Sequence, residues 1–161
     1  MTEEEFARAV REFGTAVYRA AYAQTCSRSV AEDIFQETFL KLWSRPVFFK
    51  DDYHLKCWLL KVTTNLCRDH FKSAYQRKVS PTDTPLDPSI PESEDPQNGI
   101  VFDALARLPE NERILLHLFY EEDYSIKEIT RITGKSSAAI KTGLSRARKK
   151  LRTILLESEP Q

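Results

Sequence analysis

Residues 124–152, YSIKEITRITGKSSAAIKTGLSRARKKLR, determine how the C-terminal part of the chain is expected to fold. Residues 125–128 have the S-x-x-E spacing of a capping box, which predicts that a short helix begins there. Gly134 suits a tight turn after that helix, and either Ser136 or Ser137 can cap a longer final helix. A short helix, a glycine turn and a longer basic helix are typical of a helix-turn-helix.

The charge distribution favours nucleic-acid binding by this part of the chain. Residues 134–153 contain seven basic side chains and no acidic one, and residues 61–78 contain five basic side chains and one acid, Asp69. The formal net charge is nevertheless zero, and the 22 residues from 79 to 100 carry five acidic and no basic side chains. Concentrated positive charge is what phosphate binding requires. Either basic stretch alone could equally be a solvated helix face.

The final helix has the composition expected of a DNA recognition helix. Ile140, Leu144, Ala147 and Leu151 recur at helical spacing and predict its buried stripe. Small polar groups at its start can contact base edges, and the cations that follow can contact phosphates. The candidate DNA-contacting residues are Ser136, Ser137, Ala138, Lys141, Thr142, Ser145, Arg146, Arg148 and Lys149.

The N-terminal part predicts three helices. The first covers residues 2–23, where apolar residues recur every three or four positions. A second S-x-x-E capping box, at Ser29, predicts the start of the second helix, and Pro46 predicts its end. The third helix covers about residues 51–75 because two aspartates provide a good N-terminus. Residues 44–52 form the loop between the second and third helices.

The middle of the chain predicts a linker. Residues 79–100 hold five of the eight prolines and no aromatic residue, so they cannot bury enough apolar surface to fold. Fully extended, such a segment reaches about 70 Å. We therefore expect an all-α protein with an N-terminal domain at 1–78, a flexible acidic linker at 79–99 and a C-terminal domain at 100–157. The C-terminal domain is predicted to start with helices at 100–107 and 110–120, and the tether is expected to leave both domains free to move.

Several function classes are disfavoured by the composition. Cys26, Cys57 and Cys67 are odd in number and lack C-x-x-C spacing, which argues against a disulfide framework or zinc ribbon. The pairs at 54/57 and 67/70 resemble two metal half-sites, but on one helix their centres lie about 20 Å apart, too far for one ion. No cofactor, metal site or catalytic residue is expected, so the protein is not expected to be an enzyme. The acidic N-terminus and the lack of a long apolar stretch favour a cytoplasmic protein.

Three segments together resemble a known family. Residues 31–43, AEDIFQETFLKLW, resemble region 2.2 of bacterial RNA polymerase sigma factors. Residues 58–71, WLLKVTTNLCRDHF, resemble region 2.4, and residues 108–151 resemble region 4. The small size and the two domains without further insertions are similar to the extracytoplasmic-function (ECF, group 4) type of the sigma-70 family.

The resemblance implies a role for each segment. The second helix would bind the β′ clamp helices of core RNA polymerase, and region 4 would contact the β flap and the −35 element. The third helix and the preceding loop would contact the −10 element and help to open the promoter. An anti-sigma factor is a further implied partner, and nucleoid association within the holoenzyme is implied too. The implied core-binding residues are Asp33, Gln36, Glu37 and Lys41, and the implied −10 contacts are Phe48, Phe49, Lys61, Asn65, Arg68, Asp69 and Lys72.

Some alternatives remain open from the sequence. Phe48 and Phe49 could stack on an unpaired base or simply anchor the loop. Gly143 departs from the larger residue that is usual in the family, and it could either permit close phosphate approach or weaken −35 binding. Lys135 replaces a turn residue that is usually apolar. A stand-alone helix-turn-helix regulator that binds DNA as a dimer is the alternative function, although it leaves the N-terminal helices unexplained.

Overall fold

The computed structural model describes residues 1–45, 48–76 and 96–158, and in these ranges every regular element is helical. None of these helices combines the length and the apolar character that crossing a bilayer requires. The elements are α1 (Glu3–Thr25), α2 (Arg28–Ser44), α3 (Asp52–Gln76), α4 (Pro96–Ala106), α5 (Glu110–Leu116), a π-helical turn (His117–Glu121), α6 (Ile126–Thr133) and α7 (Ser137–Ser158).

The three N-terminal helices form as predicted, with one error at the start of α2. The N-cap of α2 is Ser27, whose hydroxyl accepts a hydrogen bond from the amide of Val30, so Ser29 lies inside the first turn. The expected capping box at Ser29 is therefore wrong, and Glu32 instead accepts a hydrogen bond from Arg28. Two serines two residues apart offer competing caps, and the capping-box pattern pointed to the second of them.

The ends of α2 and α3 agree with the sequence. Helix α2 ends at Ser44, two residues before Pro46, which itself lies outside the described residues. Helix α3 begins at Asp52, and the carboxylate of Asp51 accepts a hydrogen bond of 2.9 Å from the amide of His54. This bond lowers the pKa of Asp51 because it favours the carboxylate form.

The linker prediction extends too far toward the C-terminus. Helix α4 starts at Pro96, so the last four residues of the predicted linker are helical and the expected helix at 100–107 begins earlier. Proline is favoured in the first turn of a helix, where its missing N–H has no partner to lose. The remainder of the predicted linker, up to residue 95, lies outside the described residues.

The helix-turn-helix is close to the prediction. Ser125 and Glu128 make both hydrogen bonds of a capping box, each 3.1 Å long. Gly134 ends α6 with a φ of 75°, which is the left-handed conformation that favours glycine. Ser136 accepts a hydrogen bond from the amide of Ala139, so the predicted cap of α7 is the first of the two serines. The expected helix at 110–120 differs, because it changes to π geometry at His117.

Helix α3 takes part in two hydrophobic cores. Leu55 and Leu59 pack with α1 and α2, whereas Leu60 packs into a core formed mainly by α5, α6 and α7. The hydroxyl of Tyr53 lies 3.2 Å from Glu128, and Tyr22 of α1 stacks on Phe102 of α4. The expectation that the tether leaves the domains free to move is therefore wrong for this structure. The two bodies pack against each other along α1 and α3.

His117 is a buried titratable group where the π turn meets α1. Its side chain is nearly inaccessible, with ring nitrogens 3.1 Å from Glu121 and 3.4 Å from Glu122. Burial opposes the imidazolium, but the two carboxylates outweigh burial and raise the pKa of His117 above its ordinary value. The same interaction lowers the pKa values of Glu121 and Glu122.

The stability of the protein should therefore fall as pH rises through the raised pKa of His117. A group whose pKa is higher in the folded protein than in the unfolded chain stabilises the fold fully at pH values below its unfolded pKa, about 6.5 for histidine. This stabilisation is lost as pH rises through the folded pKa. Urea denaturation at a series of pH values should show this decline in the free energy of unfolding. The variant His117→Gln should lack the decline, whereas the exposed control His54→Gln should retain it. A wild-type profile that is flat above pH ~6.5 would contradict this assignment.

Candidate nucleic-acid and partner interfaces

The outer face of α2 presents the predicted core-binding residues together. Asp33, Gln36, Glu37 and Lys41 are all exposed. The opposite face is buried, where Thr38 donates a hydrogen bond to the carbonyl of its own helix one turn earlier and lies 3.3 Å from a threonine of α3. Because this buried face fixes the rotation of α2, the four polar side chains form one stable outward surface.

Sequence analysis missed an apolar residue on this surface. Leu40 is 62% exposed on this face of α2. Trp43 is 48% exposed, and the centres of its ring and of the Phe6 ring lie 5.1 Å apart. An apolar side chain among charged ones is a common feature of protein interfaces. The position of Leu40 directly after the buried Phe39 was the signal from which its exposure could have been predicted.

A cleft joins the core-binding surface to the candidate −10 surface. The cleft has a volume of about 670 Å³ and lies between α2 and α3. Glu37 and Lys41 line one side of it, and Asn65 and Asp69 line the other. Trp58 also lines this cleft. Residues predicted for two separate roles therefore lie on two walls of one depression.

The predicted −10 residues of α3 form an exposed stripe. Lys61, Asn65, Arg68 and Lys72 recur every three or four positions, with Asp69 beside them, and all five are exposed. The guanidinium of Arg68 also donates a hydrogen bond of 3.4 Å to a backbone carbonyl at the end of α6. The stripe therefore lies next to the turn of the helix-turn-helix.

The two loop phenylalanines have different environments. Phe49 is partly buried against the N-terminal core, with its ring 5.5 Å from the ring of Trp58. Phe48 is 93% exposed. The guanidinium of Arg45 lies 5.4 Å from the centre of the Trp58 ring, which fixes this tryptophan further. Phe49 therefore anchors the loop, and Phe48 is the ring that is available for stacking.

The candidate −35 residues lie on α7 as a largely outward face. All nine are exposed, and the predicted inward residues Ile140, Leu144 and Ala147 are at most 2% exposed. Arg148 lies to one side of this face, where its guanidinium donates a hydrogen bond of 2.8 Å to the hydroxyl of Tyr120. The exposed cations on the outward face are Lys141, Arg146 and Lys149.

One of the two departures from the family pattern, Gly143, has a structural explanation. A Cβ atom on Gly143 would lie 2.6 Å from a methyl group of the buried Leu115, so the glycine allows α7 to approach α5. Gly143 therefore packs against protein, and its effect on −35 binding stays a prediction. Lys135 lies beside Arg68, and its partial burial, together with that positive neighbour, lowers its pKa.

A large groove crosses the boundary between the two bodies. It has a volume of about 720 Å³ and is mostly apolar, with contributions from α1, α4, the π turn and α7. Exposed arginines line it, Arg19 from α1 and Arg148 and Arg152 from α7. Leu156, at the groove, is 63% exposed. The groove is therefore an apolar surface bordered by three exposed arginines and by one exposed acid, Glu121.

The cysteines show no arrangement suited to metal binding or thiol chemistry in the described residues. No cluster of three or more potential metal-ligating side chains occurs in this part of the chain. Burial raises the pKa of Cys67 to about 12 and also raises the pKa values of Cys26 and Cys57. These thiols are therefore poor nucleophiles near neutral pH.

These features define a two-body helical protein with a helix-turn-helix in its C-terminal body. Comparison with protein families agrees: Sigma-70 region 2 matches residues 9–77, and Sigma-70, region 4 matches residues 99–151. The chain belongs to the sigma-70 family of RNA polymerase sigma factors. Its relatives include several named ECF sigma factors.

Individual relatives support the same assignment. The "Probable RNA polymerase sigma factor RfaY" of Xanthomonas campestris pv. campestris is 30% identical and aligns with 96% of this chain but 41% of its own length. The ECF sigma factor BldN of Streptomyces coelicolor is 31% identical, with 94% of this chain and 61% of the relative covered. SigM of Bacillus subtilis is 27% identical over 86% of this chain and 87% of the relative. The chain thus spans less than two thirds of the first two relatives.

Solved structures share the fold. The sigma factor RpoE, in complex with the anti-sigma factor NepR from Bartonella quintana, matches with a TM-score of 0.75 and 24% identity. That match covers 97% of this chain and 99% of the other chain. CnrH, in complex with the cytosolic domain of CnrY, matches with a TM-score of 0.70 and 22% identity, over 98% and 92% of the two chains.

The two loop phenylalanines should differ in their effects on stability. Phe49→Ala should lower the free energy of unfolding by about 2 kcal/mol, roughly half the loss at a fully buried phenylalanine. Phe48→Ala should change it by no more than about 0.5 kcal/mol because the ring contacts mainly solvent. Urea denaturation followed by circular dichroism measures both values. Equal losses at the two positions would show that Phe48 also anchors the loop.

Proposed function

We propose that the protein is a sigma factor that directs core RNA polymerase to specific promoters and assists their opening. The observation that carries this proposal is the cleft between α2 and α3, which joins an exposed polar and apolar protein-binding surface to a DNA-binding stripe. A factor that couples polymerase to DNA needs both surfaces side by side. The protein has no catalytic role of its own in this proposal, and it works in the cytoplasm, associated with the nucleoid when it is in the holoenzyme.

The N-terminal domain, proposed for residues 1–78, binds polymerase and opens DNA. Asp33, Gln36, Glu37 and Lys41 contact the β′ clamp helices, with Leu40 adding apolar contact area to the same surface. The clamp contact places the α3 stripe over the −10 element. Electrostatic attraction brings Lys61, Arg68 and Lys72 to the phosphates, and Asn65 and Asp69 are suited to base edges.

Promoter opening depends on a base that leaves the duplex. Phe48 is exposed on a loop that Phe49 anchors to Trp58. An aromatic ring that is fixed beside a basic helix stabilises an unpaired base by stacking, which contributes about 1–3 kcal/mol per base. We therefore assign stacking to Phe48 and positioning to Phe49.

The C-terminal domain is proposed for residues 96–157, because α4 begins at Pro96. This domain binds the −35 element and the β flap. Helix α7 enters the major groove with its small side chains leading, namely Ser137, Ala138 and Thr142, and with Lys141, Arg146 and Lys149 reaching phosphates. Ser136 and Arg148 play supporting roles because the first caps α7 and the second bonds Tyr120. Ser145 lies on the outward face between these groups.

A stand-alone helix-turn-helix regulator is the alternative function, and it is less well supported. Such a protein needs α6 and α7 for DNA and a surface for dimerisation. It gives no role to the four exposed polar residues of α2 or to the basic stripe of α3. The proposed sigma-factor function uses both.

The proposed partners also include an anti-sigma factor. The similar solved chain of the sigma factor RpoE is in complex with the anti-sigma factor NepR, which supports a partner of this kind. We assign its docking site to the apolar groove between the two bodies. Arg19, Arg148 and Arg152 at this groove complement acidic side chains, so the fitting ligand is an amphipathic helix with acidic flanks.

Charge reversal on α2 tests the polymerase contact. The double variant Asp33→Lys/Glu37→Lys should lose co-elution with bacterial core RNA polymerase, because the carboxylates face the clamp, while its circular dichroism spectrum stays unchanged. The control Glu4→Lys/Glu157→Lys makes the same change in net charge at exposed positions far from α2 along the chain. Co-elution of the Asp33/Glu37 variant at wild-type level would refute the assigned surface. Absence of wild-type binding at moderate salt would favour the stand-alone regulator.

Substitution of Phe48 tests the opening step. In the holoenzyme, Phe48→Ala should slow the formation of the open complex by about 10-fold, matching a stacking loss of about 1.4 kcal/mol. Binding of the closed duplex should be unaffected. Fluorescence of 2-aminopurine placed in the −10 element measures opening, and Phe48→Tyr should restore most of the rate. If Phe48→Ala opened promoters at the wild-type rate, the stacking role would be wrong.

A further inference from the structure

Lys135 lies in the turn of the helix-turn-helix, at a position where a positive charge is unfavourable. It comes directly after Gly134, which ends α6, and two residues before the start of α7. Its backbone amide donates a hydrogen bond of 3.3 Å to the hydroxyl of Thr133, and the residue is partly buried. Partial burial removes water from the ammonium group and opposes its charge. A residue that only filled space in this turn would be better apolar.

A second cation lies beside Lys135. The guanidinium of Arg68, from α3, donates a hydrogen bond of 3.4 Å to the carbonyl of Thr133, the residue that also accepts a bond from the amide of Lys135. The positive charge of Arg68 adds to the effect of burial and lowers the pKa of Lys135 further. Two like charges in a partly desolvated place repel each other more strongly than they would in water. An anion between them would remove this repulsion.

The acidic residues near the two cations neutralise them only in part. Glu110 and Glu112 of α5 act in the opposite direction on the pKa of Lys135, but burial and Arg68 outweigh them. The carboxylate of Glu112 is paired with Lys150, at 2.8 Å. Neither Lys135 nor Arg68 forms an ion pair with a carboxylate of residues 1–45, 48–76 or 96–158. The described part of the protein therefore leaves these two cations without a direct counter-ion.

The start of α7 adds positive potential at the same place. This helix is 22 residues long, and it begins two residues after Lys135. The first amides of a helix have no partner within it, and the helix dipole places about half a positive charge there. A helix start alone is a general feature of proteins. Here, two side-chain cations from separate elements, Arg68 and Lys135, lie close to it.

We propose that Arg68, Lys135 and the start of α7 bind the phosphate group of a free phosphorylated small molecule, such as a phosphate monoester or a diphosphate. Such a group carries about two negative charges near neutral pH, so it neutralises both cations at once. Its oxygens accept hydrogen bonds from the guanidinium, the ammonium group and the amides of a helix start. The phosphates of a nucleic-acid backbone offer the same oxygens but only one negative charge each, and they fit the two cations less well.

Two substitutions remove the cations one at a time. Lys135→Leu places an apolar residue in the turn, and Arg68→Gln removes the charge of the guanidinium but keeps a hydrogen-bond donor. Lys127→Leu and Arg107→Gln are the matched controls, since both residues are exposed and neither is assigned to an interface. Circular dichroism and urea denaturation check that each variant is folded. If Arg68→Gln does not fold, Lys135→Leu decides by the same criteria.

Isothermal titration calorimetry with inorganic pyrophosphate measures binding to the full-length chain directly. Sodium chloride holds the ionic strength constant, so that general screening does not contribute. The wild type and both controls should bind one pyrophosphate per chain with the same dissociation constant. Each cation variant should bind about 10-fold or more weakly, the loss expected for one hydrogen bond to a charged group. Absence of saturable binding to the wild type, or equal binding by the cation variants, would overturn the proposal.

Duplex DNA distinguishes the second source of phosphate. The probe is a fluorescent duplex of mixed sequence and about 20 base pairs, whose affinity is measured at several salt concentrations. A lysine that contacts a backbone phosphate contributes about 0.9 to the slope of log K against log salt concentration. For a free ligand, we expect equal slopes for Lys135→Leu and the control Lys127→Leu. A smaller slope for Lys135→Leu, in a protein that binds no pyrophosphate, would assign Lys135 to DNA and refute the site for a free ligand.

Discussion

The structure depends on the requirement that α3 bury two faces and expose a third. Leu59 and Leu60 are adjacent in the chain, so their side chains lie about 100° apart around the helix and enter two different cores. Thr63 and Cys67 continue the buried surface, both at 0% exposure. The remaining face holds the basic stripe. A helix constrained on two sides cannot rotate, and this fixes the direction in which the stripe points.

The same constraint explains which parts of the site were predictable. Helix periodicity located the inward stripe of α7 and the polar face of α2, because each of these helices covers mainly one core. For α3 the spacing of Leu55, Trp58, Leu59, Val62 and Leu66 predicts one apolar stripe that leaves out Leu60, and Leu60 is buried because the C-terminal body covers it. Leu40 shows the opposite case, because none of the described elements covers it.

Long-range polar contacts could not be predicted from local pattern. Arg113 looks like an ordinary charged residue in an amphipathic helix, and the two carbonyls of α1 that accept its hydrogen bonds, those of Ala23 and Gln24, are about 90 residues away in the chain. Backbone carbonyls carry no sequence signature, so nothing in the sequence marks them as its partners. The same holds for Gly143, because the reason for a glycine at this position is its close approach to Leu115, a neighbour from another helix. The capping error at Ser29 is different in kind, because two local signals competed there.

The groove and the hydrogen bonds from Arg113 to α1 are linked thermodynamically because both exist only when the two bodies are together. Residues from α1 line one side of the groove and residues from α4 and α7 line the rest, so its surface is divided when the bodies separate. A ligand that binds the groove must therefore stabilise the closed form, and a ligand that needs both separated DNA surfaces must oppose it. Each can shift the equilibrium only by its difference in affinity for the two forms.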